Sequence, residues 1–97
     1  MIHVHNIFVC KPGNASKLAK IFKEALTGND DFVHVMTDLT GQFNRVIMVN
    51  KFESLTEFEK SFDKYMSDSA EVKKMKELMK GYTDLYVTGS REIYNIM

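Results

Sequence analysis

The chain has no tryptophan, one proline, one cysteine and five glycines among its 97 residues. Each scarcity excludes something. The lone Cys10 cannot close an intramolecular disulfide, which fits a reducing compartment. Gly13, Gly28, Gly41, Gly81 and Gly89 stand singly, so no glycine-rich loop is present to cradle a phosphate. Thirteen basic and thirteen acidic side chains cancel, leaving no electrostatic reason for a nucleic-acid or anionic-membrane partner. No apolar run approaches the roughly 18 residues that would span a bilayer. The first ten residues lack a basic leader and a small-residue cleavage site, so a cytoplasmic location is expected.

What remains is an ordinary globular composition, 44% apolar and 27% charged, with a clear order of elements. Phe32–Asp38 and Arg45–Phe52 are rich in β-branched and aromatic residues, and the link Leu39-Thr40-Gly41-Gln42-Phe43-Asn44 carries turn residues; together they predict a hairpin. Before it, Ile2–Lys11 reads as a strand ended by Pro12 and Gly13, with Asn14 as N-cap of a helix. Leu18, Ile21, Phe22, Ala25 and Leu26 form that helix's apolar stripe, and Thr27-Gly28-Asn29 stops it. After the hairpin, Ser54 with Glu57 predicts a capping box. The stripe that follows is Leu55, Phe58, Phe62, Tyr65 and Met66. Ser67-Asp68-Ser69 interrupts, and Asp68 with Glu71 suggests a second box before Val72, Met75, Leu78 and Met79. Leu85–Ile96 is the last strand, with a bulge expected at Gly89-Ser90. The layout over residues 1–97 is β-α-β-β-α-β, an α+β domain with one four-stranded antiparallel sheet.

Every strand carries apolar groups on both parities, whereas a half-solvated sheet shows a polar row on one face. Helices can cover one face only. The other is expected to meet a second copy, giving a homodimer through the sheet faces, although parity alone does not say which face that is. A chain of this size gains from such a partner because it buries only about two-thirds of its unfolded surface.

Asn6-Ile7-Phe8-Val9 leading to Lys11-Pro12-Gly13 is similar to the start of antibiotic-biosynthesis-monooxygenase-like domains. Gly89-Ser90-Arg91-Glu92-Ile93-Tyr94 resembles the terminal strand of NIPSNAP-like domains. With the layout, these segments resemble the dimeric α+β barrel superfamily, which implies a ferredoxin-like protomer packed sheet on sheet in a dimer. Its members include cofactor-independent oxygenases, isomerases and haem-degrading enzymes, so fold does not choose among them. In the haem-degrading branch an Asn on the first strand lines the pocket, and Asn6 matches it. That branch also uses a Trp and a His on or after the second helix, and this chain has neither there.

The chemistry-bearing residues are few. His3, His5 and His34 fall on strands, but no Cys or acidic residue at ligand spacing joins them, so no metal is expected. Cys10 reads as a small buried hydrophobe, not a nucleophile. Tyr82, Tyr86 and Tyr94 cluster with Arg91 and Glu92, where a Tyr hydroxyl can orient a ligand and Arg can hold a carboxylate, but interface packing with an Arg91 salt bridge is the plainer use. Seven methionines and seven phenylalanines are many for this length. Methionine fills irregular gaps in any core, yet it also lines adaptable pockets. Two functions follow. The first is a small-molecule-binding protein without cofactor, its pocket between sheet and helices taking an elongated, fatty-acyl-like ligand against Asn6, Phe8, His34, Met36, Tyr65, Met66, Met75 and Met79. The alternative is a cofactor-independent monooxygenase or isomerase in the same pocket, with Asn6 orienting substrate and His34 or a Tyr moving a proton.

Overall fold

The computed structural model describes residues 1–41 and 43–97; Gln42, in the expected hairpin turn, lies outside the described residues. The elements are β1 (Ile2–Cys10), α1 (Ala15–Leu26), β2 (Phe32–Thr37), β3 (Arg45–Phe52), α2 (Leu55–Tyr65), α3 (Ala70–Leu78), a short 3-10 turn (Tyr82–Asp84) and β4 (Tyr86–Asn95). The sheet order is β2-β3-β1-β4, with every neighbour antiparallel. This is the expected ferredoxin-like α+β arrangement. β1 is a central strand, paired with β3 from the middle of the chain and β4 from its C-terminal part: Asn6 sits opposite Met48 on β3 and Arg91 on β4.

The local chemistry explains the element boundaries, with three corrections. Asn14 occupies the N-cap position of α1 but makes no side-chain cap, because its backbone is already helical (φ −101°, ψ −7°) and not extended. Ser54 is extended and accepts from the Glu57 N–H at 3.3 Å, which caps α2 as expected, while the Glu57 carboxylate turns to Lys60 Nζ at 3.5 Å. The chain does break after α2, but Ser69, not Asp68, caps α3, accepting from the Val72 N–H at 3.2 Å. In the hairpin, Asp38 closes the base through Oδ1 to the Arg45 N–H and Oδ2 to Arg45 Nε, both at 3.2 Å. The bulge in β4 falls at Val87, since Val9 pairs with Thr88 and Cys10 with Tyr86. Gly89 lies in regular ladder over the Phe8 ring.

Register divides the side chains between two faces. Ile2, Val4, Asn6, Phe8 and Cys10 of β1 point toward the helices, together with Val46, Met48, Asn50 and Phe52 of β3. The core forms there as Leu18, Phe22 and Leu26 of α1 pack on Cys10 and Val46. Val72 is buried on α3, but Leu78, expected inward, is 39% exposed. At 3.6 residues per turn Leu78 lies about 120° around the helix from Val72. His3, His5, Ile7 and Val9 take the opposite face with Ile47, Val49, His34 and Met36, where Val49 is already buried and the others are half-buried or exposed.

Candidate functional site

α2 stands off the sheet. None of its residues is fully buried, Leu55 is exposed, and its aromatic residues Phe58 and Phe62 hang over a gap and do not fill it. The gap is a cavity of about 190 Å³ between the sheet, α2 and α3. Its floor is Val4, Asn6, Met48, Asn50 and Phe52 from the sheet; Leu26 closes one side. The roof is Phe58, Ser61, Phe62 and Tyr65 from α2 with Met75 and Met79 from the α3 region, and Arg91 stands at the β4 side. The expected break at Ser67–Ser69 separates the two helices that roof this space.

Of the residues singled out from sequence, the cavity brings together Asn6, Tyr65, Met75 and Met79. Phe8 is on the same face but packs on Phe22 and Tyr86, with ring centroids 5.0 and 4.9 Å away, and borders only a shallow neighbouring depression. His34 and Met36 are not in the cavity. A bulge in β2 at Val33 puts Phe32 and Val35 on the helix side and turns His34 and Met36 to the open face, opposite Val49 and Ile47. Met66 lies past the last turn of α2 and is 81% exposed, outside the cavity lining.

Three polar features matter. First, Arg91 Nε donates to Asn6 Oδ1 at 2.7 Å, and the guanidinium carbon lies 5.2 and 5.6 Å from the ring centroids of Phe58 and Phe62. The pair of aromatic faces favours the cation there. An Arg91 salt bridge was expected; among the described residues the ion pairs are Arg45–Asp38 and Lys60–Glu57 only. Second, Asn50 is 6% exposed and its Oδ1 is buried without a hydrogen-bond partner among the described residues. Such an atom costs free energy unless something donates to it. Third, the Tyr65 hydroxyl donates to Asp31 at 3.3 Å. Burial, then the Asp31 charge and hydrogen bond, push its pKa up to about 12. The protonated phenol is thus the form the fold favours, a contribution complete below the ordinary tyrosine range and lost as pH rises from about 10 to about 12. Wild-type protein should therefore lose more stability than Tyr65→Phe over that interval in denaturant melts. Parallel losses in the two proteins would contradict the Tyr65–Asp31 interaction.

The remaining candidates fall elsewhere. Tyr82 and Tyr86 pack toward Phe22 and Phe8, while the Tyr94 ring lies 5.0 Å from His5 on the open face, so the three tyrosines do not form one cluster. Cys10 is 3% exposed, and burial, with Asp38 second, raises its thiol pKa, which disfavours the nucleophilic thiolate. Among the described residues no group of three or more His, Cys, Asp or Glu is placed to hold a metal ion, and no helix is long and apolar enough to cross a membrane.

Solved structures share this architecture. A NIPSNAP domain protein from Burkholderia xenovorans superimposes with a TM-score of 0.78 at 9% identity, covering 100% of this chain and 95% of that one. The fold is that of NIPSNAP proteins. A NIPSNAP family protein from Agrobacterium tumefaciens gives 0.76 at 13% identity, over 99% of this chain and 92% of that one. A candidate antibiotic biosynthesis monooxygenase from Nitrosomonas europaea gives 0.62 at 7% identity, over 100% and 99%. No family model matches the chain, and no curated protein matches it in sequence. At these identities the likeness to the NIPSNAP and monooxygenase structures is one of fold.

Proposed function

We propose that this chain, as a homodimer through its open sheet face, binds a small, mainly apolar organic molecule in the cavity beneath α2 and α3. One observation carries the proposal: the cavity is walled largely by aromatic, aliphatic and thioether side chains, and one lining residue, Asn50, has a buried amide oxygen with no hydrogen-bond partner among the described residues. Apolar walls with a few placed polar groups are the usual make-up of a small-molecule site. Size bounds the guest. An apolar cavity of about 150 Å³ takes up benzene, so about 190 Å³ suits one ring or a short chain better than a long fatty-acyl tail.

Catalysis in the same cavity, as a monooxygenase or isomerase, would need a proton-moving group beside Asn6. His34 lies on the far face, and the Tyr65 hydroxyl is tied to Asp31 with a raised pKa, so it holds its proton. Binding is the better supported function.

A fluorescent short-chain fatty-acid probe should bind the wild-type protein. Met75→Trp, which fills the roof, should weaken the probe by about tenfold or more, since roughly two buried methylene equivalents displaced suffice for that. Failure of every apolar probe to bind, or equal binding by the Trp variant, would remove the cavity as a ligand site.

A further inference from the structure

Resting on the cavity as a ligand site, we infer that its guest is a small carboxylic acid: one ring or short chain whose carboxylate meets Arg91, with a hydroxyl or amino donor that reaches Asn50. Arg91 is the one charged side chain among the described residues lining the cavity, and it is a cation. Its Nε is spent on Asn6, which holds the guanidinium plane still, and its terminal nitrogens have no recorded partner among the described residues. Phe58 and Phe62 lie against the same group, while Arg91 itself stays exposed at the edge of the cavity. A planar fork held in this way matches a carboxylate with two parallel hydrogen bonds.

Asn50 supplies the second half. Its Oδ1 can only accept, and a carboxylate has nothing to donate, so one charged head cannot satisfy both residues. The two residues are two strands apart and one pleat along the sheet, a Cα separation of about 12 Å. With both side chains reaching inward, a molecule of one ring and a short acid arm spans the gap. The polar ends would fix its direction, and the Phe and Met walls would take its body.

Titration calorimetry of the full chain with three probes tests this: para-hydroxyphenylpropionate, phenylpropionate and the neutral phenylpropionamide. Both acids should bind at least about tenfold more tightly than the amide, the scale of one charge-assisted hydrogen-bonded contact. The hydroxylated acid should exceed the plain one by about threefold or more, the scale of one neutral hydrogen bond. Arg91→Met should abolish the preference for acid over amide, while Arg91→Lys should restore part of it. Asn50→Leu should abolish only the advantage of the hydroxyl. Equal binding of acid and amide by the wild-type protein would overturn carboxylate selection while leaving the cavity itself a binding site. Equal binding of the two acids would overturn the Asn50 contact, with water serving that oxygen instead. Binding of none of the three would take down the ligand site and this inference together.

Discussion

Phe22→Ala is expected to lower the unfolding free energy by about 3–5 kcal/mol, the usual cost of deleting a buried aromatic side chain. Phe22 is 1% exposed and is the largest fully buried side chain. Its ring sits 5.0 Å from Phe8 on the sheet and 5.8 Å from Tyr82, so one residue joins α1, β1 and the turn before β4. Few neighbours can collapse into the space it leaves, because the strands beneath are held in register and α1 is anchored above and below by Leu18 and Leu26. Domains of ordinary stability have about 5–15 kcal/mol in all, so the variant should be partly unfolded at modest urea. Chemical denaturation at one fixed protein concentration reads the effect, with the exposed Lys20→Ala as control. A loss below about 1.5 kcal/mol would mean that α1 does not present this face to the sheet.

Ile47→Asp is expected to dissociate the dimer. Ile47 lies between Ile7 on β1 and Met36 on β2, and beside that row Val49 lies between His5 and His34. The result is an apolar centre on the sheet face opposite the helices, with Val49 already buried in it and Ile47 half-buried. A carboxylate placed there in a dimer would be buried without a partner, at several kcal/mol per interface. In the separated protomer it would simply be wet. Val9 lies on the same face but opposite Arg45, which could pair with a new acid, so Ile47 is the cleaner position. Sedimentation at micromolar concentration should give about twice 11.2 kDa for the wild-type chain and about 11.2 kDa for the variant. A wild-type monomer under those conditions would contradict the homodimer.

Local chemistry made much of the fold legible. The hairpin arms, the Leu18–Leu26 stripe, the Ser54 cap and the break at Ser67–Ser69 are each written in neighbouring residues, and each is present in the structure. Errors arose where position depends on the rest of the sheet. The alternation of β2 reads equally well in either phase until the bulge at Val33 sets which side chains turn inward, and that excluded His34 and Met36 from the cavity. In the sequence Arg91 reads as a salt-bridge or carboxylate partner near the tyrosines and Asn50 carries no signal, because their places at the cavity come from cross-strand register. Arg91 lies 85 positions from its partner Asn6, and nothing near either in sequence signals the pair. Both could have been found only by carrying the inward parity of Asn6 across to β3 and β4. The methionines divide: Met75 and Met79 line the cavity with Met48, whereas Met36 and Met66 do not.

That division among the methionines gives the most direct test of the cavity as the ligand site. The chain carries Met1, Met36, Met48, Met66, Met75, Met79 and Met97, and methyl-labelled methionine gives one NMR signal for each. Titrating the labelled protein with phenylpropionate should shift the signals of Met48, Met75 and Met79 and leave those of Met36 and Met66 in place. Shifts at Met36 or Met66 without Met75, or no shift anywhere at saturating probe, would contradict a binding site between the sheet and α2–α3.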